Sequence, residues 1–228
     1  MSAQPDLASV ATLLSEPTRV AMLDALMGGV ALPASELARR AHVTPQTASE
    51  HLAKLVSGGL LRAQKFGRHR YFSLVGVDVA RALEALALIA PPTRARSLSD
   101  SLDKRDFCAA RTCYDHLAGR LGVAVTGALV TKRLLEEQPY QYAITPKGER
   151  WLVAFGLDLS ASEHTRRKFA PKCLDWSERV PHIGGWLGAA IATHMLAAKW
   201  LRRSTTSRAV RLTELGQTAL AKQLEIQI

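Results

Sequence analysis

The second half of the chain contains one sequence pattern twice, and this duplication restricts the possible folds more than any other feature. Residues 116–135 match residues 182–201 at a constant offset of 66 residues. The identical pairs include His116 with His182, Gly119 with Gly185, Leu121 with Leu187, Gly122 with Gly188, and Leu135 with Leu201. Because duplicated segments usually pack as like units, we expect two pseudo-twofold repeats, residues ~107–158 and ~171–224.

Each repeat is expected to contain a helix followed by a strand, a turn and a second helix. The strand-turn-helix signatures are residues 142–152 and 209–220. Glycine inside a helix costs roughly 1 kcal/mol relative to alanine, so the glycines of the matched segments need a packing reason. We therefore expect helices 114–135 and 180–201 to cross near them. The repeats form either a scaffold, which we favour, or a second surface that faces DNA.

The first half of the chain has the pattern of several helices followed by a basic β-hairpin. Apolar residues at helical spacing predict a helix over residues 6–28, restarted at Pro17 and ended by glycines. Ser35 is predicted to cap the next short helix, and Thr44 caps another that has proline at its first position. Two strands then flank a turn at Gly67. The sequence thus predicts a mainly α fold with small β wings (α+β), whose first half is a winged helix-turn-helix.

The second helix of such a motif must lie in the major groove, so its outer face must be polar. The hairpin, or wing, carries basic residues that suit phosphates or a minor groove; a basic surface that only faces solvent is the alternative. The predicted DNA-binding residues are Thr44, Gln46, Thr47, Ser49, Glu50, His51 and Lys54 on the helix, and Arg62, Lys65, Arg68, His69 and Arg70 on the hairpin.

Residues 6–90 resemble the ArsR-type family of bacterial repressors. The resemblance lies in the segments LLSEPTRVAMLDALM, SELARRAHVTPQTASEHLAKLVSGGLL and GRHRYFSL. It implies a homodimer that represses an operon until an inducer, often a metal or a thiol-reactive species, releases it. It also implies that residues 76–90 form a dimerisation helix.

The metal sites that the resemblance implies do not carry over to this chain. The arsenic sensors of that family have a cysteine pair on the helix that here reads SELARRAHV, which has no cysteine. The zinc sensors have His and Asp on the last helix. Here that segment offers Asp78 and Glu84 and no histidine.

The three cysteines and two nearby histidines of the second half form a separate set of candidates. Cys113 and His116 would share one face of a helix, whereas Cys108 and Cys113 would point apart on the same helix. The duplication is expected to bring Cys113 and Cys173 near one axis, within reach of a disulfide, together with His116 and His182. Three interpretations stay open: inert buried thiols, a redox or persulfide sensor, and a site for a thiophilic metal. No organic cofactor is implied.

The formal net charge of +10 favours a polyanionic partner. Residues 1–92 contribute +2 and residues 93–228 contribute +8, so the second half either shares the DNA backbone contacts or is a solvated basic surface. The first residues lack the pattern of a secretory signal, and no apolar run is long enough to span a bilayer. We expect a cytoplasmic protein with no membrane partner.

These observations predict two domains joined by a linker, and a function in transcription. The DNA-binding domain is expected over residues 1–92, the linker over 93–100 and the C-terminal domain over 101–228. The function is a dimeric transcriptional regulator of double-stranded operator DNA, with an effector sensed in the C-terminal domain. The alternative is a constitutive or architectural DNA-binding protein. No catalytic motif is recognised, so we expect no enzyme; a Cys-His-Asp site at Cys113, His116 and Asp115 is a remote alternative.

Overall fold

The structure is a computed structural model that describes residues 4–91 and 98–227, with only the backbone described for 98–101. The chain divides into two compact units, Met1–Leu83 and Glu84–Ile228. The predicted linker, residues 93–100, lies mostly outside the described residues. Among the described helices, none is long and apolar enough to cross a membrane.

The first unit contains four helices and a three-stranded sheet, and a fifth helix continues from it into the second unit. The helices are α1 (Leu7–Leu14), α2 (Pro17–Leu26), α3 (Ala34–Arg40), α4 (Pro45–Ser57) and α5 (Val77–Ile89), and the strands are β1 (Leu32–Pro33), β2 (Leu61–Phe66) and β3 (His69–Leu74).

Local chemistry explains the boundaries of these helices. The side chain of Glu16 accepts a hydrogen bond from the backbone N–H of Arg19 and caps α2. The buried guanidinium of Arg19 donates to the carbonyls of Thr12 and Leu13 at distances of 2.7 and 2.6 Å. It thereby satisfies carbonyls that the end of α1 leaves without a helical partner. The predicted helix over residues 6–28 is therefore two helices with a tight junction.

Two details of this unit differ from the prediction. Helix α3 begins at Ala34, after Pro33, with no side-chain cap, so the prediction that Ser35 caps it is wrong. The sheet has the order β1-β3-β2, and the short strand β1 was not predicted. Two residues without alternating burial give no strand signal, and β1 forms only because Leu32 and Pro33 lie beside Phe72 and Tyr71 of β3.

The second unit repeats one order of elements, which is a hairpin, a helix, a hairpin and a helix. The end of α5, from Glu84, and α6 (Leu98–Ala109) precede the repeats. The first repeat is β4 (Arg111–Cys113), β5 (His116–Ala118), α7 (Gly119–Thr131), β6 (Leu135–Glu137), β7 (Tyr142–Ile144) and α8 (Pro146–Ala154). After a 3-10 helix, Leu159–Ser162, the second repeat is β8 (Lys172–Leu174), β9 (Pro181–Ile183), α9 (Gly185–Ala197), β10 (Leu201–Arg203), β11 (Val210–Leu212) and α10 (Glu214–Leu224).

The prediction of helices over 114–135 and 180–201 that cross at their glycines is wrong. The helices begin only at Gly119 and Gly185, because the residues before them form hairpins. A Cβ atom on Gly122 would lie 2.6 Å from the carbonyl oxygen of Leu117. A Cβ on Gly188 would lie 2.3 Å from the carbonyl oxygen of Ile183 and 3.0 Å from Cβ of His116. The glycines therefore let the hairpin strands approach each helix closely.

The two repeats share one hydrophobic core. Helix α7 packs on β9 of the other repeat, and α9 packs on β5. The core side chains of these helices are Leu121, Val125, Leu129, Leu187, Ile191 and Met195. Exchange of hairpins between repeats means that neither repeat can bury its apolar face alone.

Candidate functional site

The polar face of α4 is exposed as predicted from its sequence. Gln46, Ser49, Glu50 and Lys54 are exposed, whereas Ala48, Leu52 and Leu55 are buried against the rest of the unit. The hydroxyl of Thr44 accepts a hydrogen bond from the N–H of Thr47 at 3.2 Å, which starts the helix. The face that the core does not use is thus free to approach DNA.

His51 occupies a different environment from the other predicted residues of α4. It is half-buried, and its Nδ1 lies 3.5 Å from a carboxylate oxygen of Glu16 at the start of α2. In this position the imidazole contacts another helix of the unit.

The wing presents a dense positive charge. Lys65 and Arg70 are directly opposite in the β2–β3 register, and Arg68 and His69 are exposed at the tip, after a turn in which Gly67 has a φ of 59°. Arg62 of β2 donates from Nε to the hydroxyl of Ser73 at 3.0 Å. Like charges directly opposite in a hairpin are destabilising, so an anion at the wing would relieve repulsion between Lys65 and Arg70.

An aromatic side chain at the wing tip was missed at the sequence level. Phe66 is 79% exposed and contacts Tyr71 edge to face, with ring centroids 6.5 Å apart. An aromatic residue in a predicted strand is usually assigned to the buried face, so the sequence gave no sign that Phe66 is exposed.

The hairpins of the second unit bring four of the five predicted sensor residues together. Cys113 lies opposite His116 in β4–β5, and Cys173 lies opposite His182 in β8–β9. The prediction that Cys113 and His116 share a helix face is wrong, because β pairing rather than helical spacing makes them neighbours. The two Sγ atoms are 3.8 Å apart, and the four candidate ligand atoms lie within 4.8 Å of one another. We call these four residues the Cys–His cluster.

Cys108 does not belong to the Cys–His cluster. It lies near the end of α6 and is half-buried. The sequence could not separate it from the other two cysteines, because only the hairpin register selects Cys113 and Cys173.

The histidines of the cluster are buried, and each has a carboxylate near Nδ1, which forms a hydrogen bond only in His116. Nδ1 of His116 lies 3.4 Å from a carboxylate oxygen of Asp115, and Nδ1 of His182 lies 3.4 Å from one of Asp175. The rings are 5.1 Å apart between centroids. Among the described residues, neither Nε2 has a hydrogen-bond partner. A buried polar atom without a partner costs about 1–3 kcal/mol, so both rings are suited to bind something at Nε2.

The two thiols have opposite electrostatic environments. The hydrogen bond with Cys173 and burial both raise the pKa of Cys113. For Cys173, the hydrogen bond with Cys113 lowers the pKa, burial opposes it, and the imidazoles of His116 and His182 lower it further. Burial lowers the pKa of His116, but Asp115 and Cys173 outweigh it and raise that pKa to about 8. The cluster therefore favours a thiolate on Cys173 beside a protonated Cys113.

A buried ion pair that the sequence did not predict supports the cluster. Arg111 donates to the carboxylate of Asp175 at 3.0 Å, and both side chains are fully buried. Asp175 also accepts from the N–H of Gly119 at 2.6 Å, which joins the second repeat to the start of α7. Arg111 lies 4.4 Å from the ring centroid of Trp176. Burial alone would raise the pKa of Asp175, but the charge of Arg111 and the hydrogen bonds from Ser177 and Gly119 lower it.

A second buried ion pair connects the cluster to α5. Arg208 donates from one guanidinium nitrogen to the carboxylate of Glu84 and to the carbonyl of Thr112, both at 2.9 Å. Thr112 precedes Cys113 in β4, and Glu84 belongs to α5. Glu84, noted above as a potential metal ligand, is thus a partner of Arg208.

Comparisons with known proteins agree with the helix-turn-helix of the first unit. A family model described as a helix-turn-helix domain matches residues 14–64. The HTH-type transcriptional regulator YdfF of Bacillus subtilis (strain 168) is 42% identical over 224 residues, which cover 98% of this chain and 99% of that protein.

Two solved structures resemble part of the chain. One is the homodimeric winged helix-turn-helix DNA-binding domain of Mb0332 from Mycobacterium bovis, at 29% identity and a TM-score of 0.34, with 39% of this chain and 89% of that chain covered. The other is the cadmium metal-sensor CMTR from Mycobacterium tuberculosis, at 32% identity and a TM-score of 0.32, with 40% and 99% covered. At these TM-scores the likeness carries no functional conclusion.

Proposed function

We propose that this chain, which belongs to the family of HTH-type transcriptional regulators, is a cytoplasmic homodimeric repressor that an effector releases from operator DNA. The fold class and the recognition of a winged helix-turn-helix regulator are confirmed. The dimer, the repression and the effector go beyond that, and the following observations support them.

The exposed face of α4 and the charged wing support sequence-specific DNA binding. Helix α4 offers amide and hydroxyl groups to base edges, in the manner of a recognition helix. The wing offers closely spaced cations to phosphates. Affinity then comes mainly from the wing and discrimination from α4.

Exposed apolar residues support a homodimer. Leu86 and Ile89, three residues apart on one face of α5, are 44% and 80% exposed. Large apolar side chains that cluster at a surface usually mark a protein interface. The dimerisation helix implied for residues 76–90 has such a surface.

The Cys–His cluster is the proposed effector site. The observation that carries this assignment is the Arg208 guanidinium, which joins the strand of Cys113 to Glu84 of α5. A change at Cys113 therefore has a short, buried route to the helix proposed to dimerise. The effector class is one that attacks or binds thiols, either a thiophilic metal ion or an oxidant.

The experiment measures operator affinity with and without effectors. Operator DNA is first selected from a random library with the full-length protein, and binding is followed by fluorescence anisotropy. Zn²⁺, arsenite and diamide are then added in turn. We expect at least one reagent to weaken binding tenfold or more, which corresponds to about 1.4 kcal/mol of coupling.

Variants assign the effect to the cluster. Cys113→Ser and Cys173→Ser should bind operator as the unmodified protein does and ignore the reagents, while the control Cys108→Ser should respond normally. An operator affinity that is indifferent to all three reagents would support the alternative function, a constitutive DNA-binding protein with inert cysteines. We propose no catalytic activity for the cluster.

A further inference from the structure

We propose that the Cys–His cluster is a tetrahedral S₂N₂ site for a zinc-type divalent cation. The ligands would be Sγ of Cys113, Sγ of Cys173, and Nε2 of His116 and of His182. This inference rests on the proposed function and deepens it, because it names the class of effector that the cluster takes.

The distance between the sulfurs fits two ligands of one metal ion. A tetrahedral site with Zn–S bonds of about 2.3 Å places two sulfurs about 3.8 Å apart. The observed separation of Sγ of Cys113 and Sγ of Cys173 is 3.8 Å. Both cysteines are free thiols, so the pair presents two separate sulfur ligands.

The imidazoles already have the orientation that a metal needs. His116 has Nδ1 hydrogen-bonded to Asp115, and Nδ1 of His182 lies 3.4 Å from Asp175 without forming a hydrogen bond. Both rings leave Nε2 buried without a partner among the described residues. Metal-bound histidines usually have a carboxylate or carbonyl behind the other ring nitrogen, which sets the tautomer and the ring orientation. Asp115 occupies that place for His116, and Asp175 is the carboxylate nearest to Nδ1 of His182.

Charge balance favours a divalent ion in this buried position. Two thiolates and two neutral imidazoles carry a charge of −2, which a divalent cation neutralises. On binding, every proton still held by a ligand sulfur or by an imidazolium leaves to solvent, and two S–metal and two N–metal bonds form, with no change in oxidation state. Thiolate and imidazole ligands in tetrahedral geometry select zinc-type ions over Mg²⁺ and Ca²⁺, which prefer oxygen ligands.

The site is complete only when the two repeats are packed together. Each repeat contributes one cysteine and one histidine from its first hairpin. A bound ion would therefore clamp β4–β5 to β8–β9. Arg208 contacts both the residue next to Cys113 and Glu84 of α5, so fixing the position of β4 also affects the contact with α5.

The test titrates full-length protein, freed of metal by chelation and kept reduced, with Co²⁺ as a spectroscopic probe. We expect one Co²⁺ per chain, visible d–d absorption of tetrahedral intensity and a near-ultraviolet sulfur-to-cobalt charge-transfer band. Stoichiometric Zn²⁺ should remove these bands. Mg²⁺ in excess should leave them unchanged.

Matched variants locate the ligands. Cys113→Ser and Cys173→Ser should each lose at least tenfold in Co²⁺ affinity and part of the charge-transfer intensity, and His182→Gln should lose affinity but keep the sulfur band. Cys108→Ser and His194→Gln, which change a cysteine and a histidine outside the cluster, should keep the full spectrum. Circular dichroism checks that each variant is folded, and if the cysteine variants do not fold, the spectrum of the unmodified protein decides.

The outcomes separate this inference from the proposed function. Octahedral Co²⁺ without a sulfur band, or equal losses in Cys108→Ser and Cys113→Ser, would overturn the metal site. If diamide still released operator DNA in that case, the proposed effector role would stand. Tetrahedral Co²⁺ with no change in operator affinity would establish the metal site and refute the effector role.

Discussion

At the scale of single residues, the carboxylates behind the histidines determine how well the cluster can bind an ion. Asp115 lies beside Nδ1 of His116 and also forms an ion pair with Arg167, with a shortest distance of 2.6 Å. Because Asp115 contacts both His116 and Arg167, a variant of Asp115 and one of Arg167 are needed to separate the effects of the two contacts.

We predict that Asp115→Asn weakens Co²⁺ binding by about 10–100-fold, the usual cost of losing such an outer partner. The stoichiometry and the tetrahedral spectrum should not change, because the four ligands remain. The control Arg167→Gln removes the ion pair but leaves the carboxylate beside His116, so its affinity should stay near that of the unmodified protein. A loss in Arg167→Gln equal to that in Asp115→Asn would contradict this role.

The buried pair of Arg111 and Asp175 makes a prediction about stability. Removing one partner of a buried ion pair leaves an uncompensated charge and costs about 3–5 kcal/mol. Arg111→Met should lower the free energy of unfolding by that amount in urea denaturation. Arg211→Met, which removes an exposed pair with Asp106, should cost about 0–1 kcal/mol. Similar losses in the two variants would mean that burial of Arg111 is unimportant.

At the scale of elements, α4 and the wing are expected to divide discrimination and affinity between them. The amide of Gln46 is exposed in the first turn of α4, where recognition helices contact bases. The wing carries charge and little base-reading chemistry. Changes in α4 should therefore alter the ratio of operator to random-DNA affinity, and changes in the wing should alter the salt dependence of binding.

We predict that Gln46→Ala reduces the ratio of operator to random-DNA affinity. The expected loss is about 1–3 kcal/mol if the amide makes a bidentate contact with a base. Ser57→Ala, at the other end of the same helix, is the control and should leave the ratio unchanged. An unaltered ratio in Gln46→Ala would remove this residue from base readout.

For the wing, Arg68→Ala and Arg70→Ala should weaken binding to all sequences alike. Each lost phosphate contact should reduce the slope of log affinity against log salt by about one unit. Arg81→Ala removes an arginine of α5 and serves as the control for total charge. Loss on operator alone, with an unchanged slope, would instead indicate that the arginine reads bases.

At the scale of the whole molecule, α5 is the element that both units share. Its residues 77–83 belong to the first compact unit and Glu84 begins the second. The carboxylate of Glu84 is buried against Arg208. This pair joins the strand of Cys113, in the proposed effector site, to the helix proposed to dimerise.

We predict that Glu84→Gln uncouples the two functions. Operator affinity without effector and Co²⁺ affinity should stay within a few-fold of the unmodified protein, since neither surface changes. The release of DNA by metal should fall from tenfold toward none. Asp78→Asn alters an exposed acid of the same helix and should respond normally. Full release in Glu84→Gln would show that the signal takes another route.

Much of the N-terminal unit could be predicted because its signals are local. Thr44, Pro45 and the apolar spacing of α4 act within one or two turns, so the sequence predicts that helix and its exposed face. The prediction for Ser35 was wrong because Pro33 already ends the preceding strand and sets the start of α3. The hairpins before α7 and α9 were missed because three-residue strands carry too short a pattern to identify.

By itself, the sequence determined the winged helix-turn-helix, the basic wing and the presence of two like repeats. These follow from short-range capping, periodicity and internal repetition. Only the tertiary structure decided which side chains meet. Cys113 and Cys173 are 60 residues apart, and Arg208 and Glu84 are 124 apart. Such pairs depend on how the repeats exchange hairpins and bury a common core. Local preferences of the backbone do not determine that packing, so the sequence alone does not predict the pairs.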